Sequence, residues 1–116
     1  MQKKPLSLFA FLIGLFWCAS VYAQYSVQTL PNPKEQGQDY FVSDPDGNLS
    51  SGTIAQLNAI STSIEQSSKS EFAIAIVNDY LGGSDFEFAL DLFNHWGIGK
   101  KGSNNGLLLF MSMDRH

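Results

Sequence analysis

Two uninterrupted apolar runs, Phe72-Ala73-Ile74-Ala75-Ile76-Val77 and Leu107-Leu108-Leu109-Phe110-Met111, bracket a segment with helical periodicity, and that order leaves few folds open. A run that is apolar at every position suits a strand covered on both faces of a sheet. Between the runs, Gly82-Gly83 breaks the first strand, and Ser84 followed by Glu87 three positions on forms a capping box. The spacing predicts a helix from about Asp85 to Trp96, with Phe86, Ala89, Leu90 and Phe93 as its apolar face and Gly97 as its stop. Strand, helix, strand in that order requires a right-handed crossover and a parallel pair.

Upstream, Ile54, Leu57, Ile60 and Ile64 recur at three- and four-residue intervals behind Ser50, a suitable N-cap. These predict a helix over 51–68. Tyr40-Phe41-Val42 is a short apolar piece suited to an edge strand or a packed arm, and it runs into the turn-forming cluster Ser43-Asp44-Pro45-Asp46-Gly47-Asn48. Residues 24–39 hold Pro31, Pro33, Gly37 and few apolar side chains, so they read as an extended linker, with order beginning near Tyr40. The expected fold class is α/β: a small, largely parallel sheet sandwiched by helices, incomplete at the C-terminus because the chain stops directly after a core strand.

The N-terminus sets the compartment. Lys3 and Lys4 precede an apolar run from Leu6 to Cys18, and Val21 and Ala23 supply small residues before the polar Gln24. This is the layout of a secretory signal peptide over 1–23, cleaved near Ala23, and it predicts a periplasmic or secreted protein. The run falls well short of the roughly 20 apolar residues that span a bilayer. Cys18, the only cysteine, lies inside the segment to be removed, so the mature chain has no disulfide, thiolate nucleophile or cysteine metal site. Loss of Lys3 and Lys4 from seven basic residues leaves five against eleven acidic ones, a net charge of −6. Such a surface argues against nucleic acid and anionic lipid as partners and favours cations or a basic protein. The 93 residues from Gln24 onward suffice for one small domain.

Gly97-Ile98-Gly99-Lys100-Lys101-Gly102 matches the glycine pattern of a dinucleotide-binding loop. That pattern works only where the glycines open a helix, whose free amides and dipole hold the pyrophosphate. Here a helix ends at Gly97 and Gly106 leads into a strand, so no nucleotide is expected. Lys100 and Lys101 complement the dipole at a helix C-terminus. A functional version of the pair would hold a phosphate or an acidic partner.

Asp44-Pro45-Asp46-Gly47-Asn48 begins like a calcium loop, but an EF-hand would need Gly at Leu49 and Glu at Ala55. Two readings stay open: an Asx turn that introduces the helix, or a non-EF cation site using Asp44. Asp114 falls just past the C-terminal end of the second parallel strand, where ligands gather in open α/β sheets. It could join Asp44 only if the fold brings both loops to one edge. The bland alternative is a surface ion pair between Asp114 and Arg115, worth little in water.

Asp44, Leu49-Ser50, the helix from Phe86 to Phe93, Trp96-Gly97-Ile98-Gly99, Asn105-Gly106 with its apolar strand, and Asp114-Arg115 together resemble the TPM domain, over about 40–116. The resemblance implies an extracytoplasmic α/β domain, with a strand, glycine turn, closing helices and a membrane tether expected in a further C-terminal part. It implies two functional classes. One is a non-catalytic accessory module acting on a membrane-protein complex in assembly, repair or regulation. The alternative is an acid phosphatase dependent on Ca2+ or Mg2+, with Asp44 and Asp114 as metal ligands and Arg115 as a phosphate clamp.

Overall fold

The computed structural model describes residues 24–99 and 104–115. The expected signal peptide, Lys100, Lys101 and His116 lie outside these residues. Five strands and two helices follow one another: β1 (Gln24–Tyr25), β2 (Val42–Ser43), α1 (Ser51–Ser68), β3 (Glu71–Val77), β4 (Asp79–Tyr80), α2 (Asp85–Trp96) and β5 (Gly106–Ser112). β2, β3 and β5 form a parallel sheet in that order, and β1 pairs in parallel with β4. The α/β class, parallel pairing and helical layers agree with the sequence reading.

Each helix begins and ends where its caps dictate. The Ser50 and Ser84 hydroxyls accept from the backbone N–H groups of Thr53 and Glu87. Gly97, at φ 66°, ends α2 in the left-handed conformation that glycine adopts without strain. Lys69 ends α1 in the same conformation.

β3 is the centre of the sheet, and Ala73 to Val77 are all buried. Ala75 and Val77 join Leu30, Tyr80, Phe88 and Leu92 in one cluster, with Leu108 and Phe110 packed against it. The strand pleat turns Ile74 and Ile76 to the opposite face, where α1 packs on β3. Within the first cluster the rings of Tyr80, Phe88 and Phe110 stand 4.8 to 5.5 Å apart, in the tilted and edge-on arrangements that aromatic quadrupoles favour.

Three expectations differ from the structure. The face of α2 that is buried consists of Phe88 and Leu92, while Phe86 is 74% exposed and Leu90 is exposed. The segment Phe86 to Phe93 carries apolar residues on both stripes, and the Tyr80 and Phe110 rings select the one led by Phe88. The second apolar run is a half-covered strand: Leu108 and Phe110 meet α2, but Leu107, Leu109 and Met111 are exposed. The expected linker over 24–39 is packed on the domain. Leu30 lies in the core, Pro33 is buried, and Ser43 donates to the Pro31 carbonyl at 2.5 Å.

The glycine-rich exit from α2 also has a steric reason. Gly99 sits at φ 76°, and a Cβ there would lie 2.6 Å from the Asn105 backbone, so helix exit and strand entry pass closer than a side chain permits. Gly99→Ala should therefore lower stability by roughly 2 kcal/mol or more in urea unfolding. Leu92→Ala should cost about 2–5 kcal/mol. Phe86→Ala should stay within about 0.5 kcal/mol of wild type. A large loss at Phe86 would contradict this assignment of the α2 face.

Candidate functional site

Because β2, β3 and β5 are parallel, the loops that leave their C-terminal ends share one edge of the sheet. The turn after β2 brings Asp44 and Asp46, the end of β3 brings Asn78 and Asp79, and the end of β5 brings Asp114 and Arg115. The backbone N–H groups of Met113 and Asp114 donate to the carbonyls of Val77 and Asn78, extending the β3–β5 ladder to the edge itself. The topological condition left open by the sequence is thus met.

The side chains at this edge are bonded largely to the chain itself. The Asp44 carboxylate accepts from the Asn48 N–H at 2.9 Å and the Leu49 N–H at 2.7 Å, and its carbonyl accepts from the Gly47 N–H. With Gly47 at φ 71°, this is the Asx-type turn that leads into α1. Asp46 accepts from the Tyr25 hydroxyl at 2.9 Å and from the Asn78 N–H at 2.8 Å, tying β1 to the end of β3. Burial, then the Asp46 carboxylate, pushes the Tyr25 phenol pKa above its ordinary value.

Arg115 is held on three sides and stacked on a fourth. Its Nε donates to Asp79 at 2.8 Å, and its two terminal nitrogens donate to the Gly82 and Tyr80 carbonyls. The guanidinium carbon lies 3.9 Å from the Tyr80 ring centre. The ion pair thus forms with Asp79, 36 positions away, whereas the sequence suggested Asp114. Asp79 also accepts from the Gln24 carboxamide at 2.7 Å. Hydrogen bonds from Gln24, then Arg115 and the Tyr80 backbone, hold the Asp79 carboxyl below the usual carboxylate range. The Tyr80 hydroxyl donates to Asp85, and burial followed by that bond raises its pKa.

Asp114 alone among the expected site residues is exposed with no side-chain bond recorded. β3 separates it from Asp44, and two strand spacings alone keep their backbones at least roughly 10 Å apart. One cation held directly by both would need their oxygens within about 5 Å of each other. Among the described residues, no group of three or more His, Cys, Asp or Glu side chains is placed to hold a metal ion. A cleft of about 460 Å³ lies at the opposite, N-terminal end of the sheet beside Trp96, Glu71 and Lys69, and one of about 370 Å³ lies between the segment after β1 and α2, lined by Ser26, Leu81, Phe88 and His95.

Asp46, Asn78 and Asp79 did not stand out in the sequence as site residues. Asp46 and Asn78 lie in turns and Asp79 opens β4, and only the sheet order places them together.

The model of the TPM domain matches residues 42–116. The chain belongs to the TPM domain family. Its TPM domain is similar to the solution NMR structure of the N-terminal domain of a protein from P. gingivalis, with 30% identity and a TM-score of 0.68, covering 79% of this chain and 59% of that one. None of the curated proteins matches significantly. Among the described residues, no helix is long and apolar enough to cross a membrane.

The Asp79 linkage gives a pH dependence with a fixed sign. A carboxyl whose folded pKa lies below its unfolded value of about 3.9 binds fewer protons when folded, so its contribution is present above pH 4 and is lost as pH falls through the folded value. Asp79→Asn should flatten the stability profile of the TPM domain below pH 4. Unchanged acid unfolding in that variant would contradict the assigned role. Arg115→Lys keeps the charge but loses the planar three-way fit, and its melting temperature should fall.

Proposed function

We propose that the protein is an exported, non-catalytic TPM-domain module that binds membrane proteins during their assembly, repair or regulation. The observation that carries this reading is the engagement of the charged sheet edge. Asp44, Asp46, Asp79 and Arg115 are bonded to the chain's own amides, carbonyls, phenol and carboxamide. A phosphate clamp needs a guanidinium fork turned toward the ligand, and the Arg115 fork is turned into the fold. The signal-peptide layout of Met1 to Ala23 supports export to the periplasm or beyond. The net charge of −6 on the mature chain suits basic protein surfaces.

A second reading, a Ca2+- or Mg2+-dependent acid phosphatase, draws support from one feature: the fold gathers Asp44, Asp46 and Asp114 on the edge where open α/β sheets bind ligands. Hydrolysis of p-nitrophenyl phosphate by the full-length protein, with and without either cation, separates the two. The accessory reading predicts no cation-dependent turnover and specific recovery of a membrane protein in a pull-down. Turnover that requires the cation and disappears in Asp44→Ala and Asp114→Ala would establish the enzyme instead.

A further inference from the structure

Gln24 opens β1 and lies opposite Asp79 in the parallel pair with β4, where the Leu81 N–H donates to the Tyr25 carbonyl at 2.9 Å. Its side chain reaches the same partner. The carboxamide Nε2 donates to one Asp79 oxygen at 2.7 Å while the Arg115 Nε holds the other at 2.8 Å, and the Gln24 bond is the largest of the effects that keep the Asp79 carboxyl below the usual range. β1 and β4 share only two residue pairs, so this one side-chain bond is a large part of what fastens the first strand.

Gln24 also follows Val21-Tyr22-Ala23, the end of the signal-peptide layout, so removal of residues 1–23 would leave a free α-amino group on this glutamine. An N-terminal glutamine can close on itself, which an internal one cannot do through its acylated nitrogen. The neutral α-amino nitrogen attacks the side-chain carbon Cδ; a bond forms between them, the Cδ–Nε2 bond breaks, and Nε2 leaves as ammonia with the proton that the amine sheds. The product is the lactam pyroglutamate, and the step needs no oxidant, reductant or second substrate. It also removes the nitrogen that holds Asp79. Ring closure and the Gln24–Asp79 bond therefore exclude each other. The fold restrains the carboxamide toward β4 and away from free approach to its own amine, and an intramolecular reaction slows when its reacting atoms are held out of place.

We infer that Gln24 is a modification site gated by the fold: its bond to Asp79 slows conversion to pyroglutamate, and conversion, once made, releases β1 from β4. The inference rests on the export reading above, which supplies the free amine. Tyr25 keeps its bond to Asp46 and Leu30 its place in the core, so the release stops at the first strand and leaves β3 as it was. To test it, the protein is expressed with residues 1–23, purified after export, and followed by intact mass and N-terminal peptide sequencing at about pH 8, where much of the α-amine is neutral. The chain should begin at Gln24 and lose ammonia at least about threefold more slowly than a free peptide of residues 24–31. Asp79→Ala should close most of that gap. In protein carried to the lactam, hydrogen exchange at the Leu81 amide should speed up at least about threefold, while the Ile74 amide, bonded to the Phe41 carbonyl, keeps its rate. The peptide and exchange comparisons need no variant, so they decide the matter even where Asp79→Ala folds poorly. Lactam formation as fast in the protein as in the peptide, slower formation in Asp79→Ala, or unchanged Leu81 exchange in the lactam form would each overturn the inference while leaving export intact. A product that retains residues 1–23, or begins elsewhere, would overturn it together with the cut after Ala23.

Discussion

Because β3 is bonded on both edges and covered on both faces, it fixes the position of every other element. Its odd-numbered residues Ala75 and Val77 collect α2, the 24–39 segment and the Tyr80–Phe88–Phe110 rings, while Ile74 and Ile76 collect α1. Parallel pairing on both sides then forces the exits of β2, β3 and β5 to one edge. The acidic cluster there follows from sheet geometry. Most of its members are bonded within the chain: Asp44 closes a turn, Asp46 joins β1 to β3, and Asp79 anchors Arg115 over Tyr80, while Asp114 stands exposed.

Those bonds also explain how residues 24–39 are held on the domain. β1 contributes two residues to a two-stranded pairing, too little to hold alone. Gln24 bonds Asp79, Tyr25 bonds Asp46, and Leu30 enters the core. Apolar burial and edge polar bonds therefore act on the same segment. Removing either should loosen the 24–39 segment before it loosens β3, since local stability is lowest where buried contacts are fewest.

Both helices were legible in the sequence to the residue, because Ser50, Ser84 and Gly97 are caps with a local mechanism. β3 was legible from an apolar run with no polar interruption. The packing of residues 24–39 was not, since Leu30 and Pro33 are single buried positions among prolines and glycines and leave no period to detect. The α2 face was misjudged because Phe86 to Phe93 offers two apolar stripes, and only the rings supplied by β4 and β5 choose between them. Asp44 and Asp114 stood out by loop position, and the resemblance to the TPM domain added Arg115. Their shared edge depends on strand order, and the pairing of Arg115 with Asp79 spans 36 positions that no local pattern connects. The exposure of Leu107, Leu109 and Met111 was equally hidden, because an apolar run reads the same whether one face or both are covered.

The central claim is that the charged sheet edge belongs to the fold, with Arg115 as its tie. The Arg115 Nε–H resonance reports this directly in a nitrogen–proton correlation spectrum followed during titration with inorganic phosphate. A guanidinium locked between Asp79, two carbonyls and the Tyr80 ring gives a sharp, slowly exchanging signal that phosphate leaves in place. A signal that is averaged in free protein and shifts saturably with phosphate would contradict the account, and would return Arg115 to the role of an anion clamp.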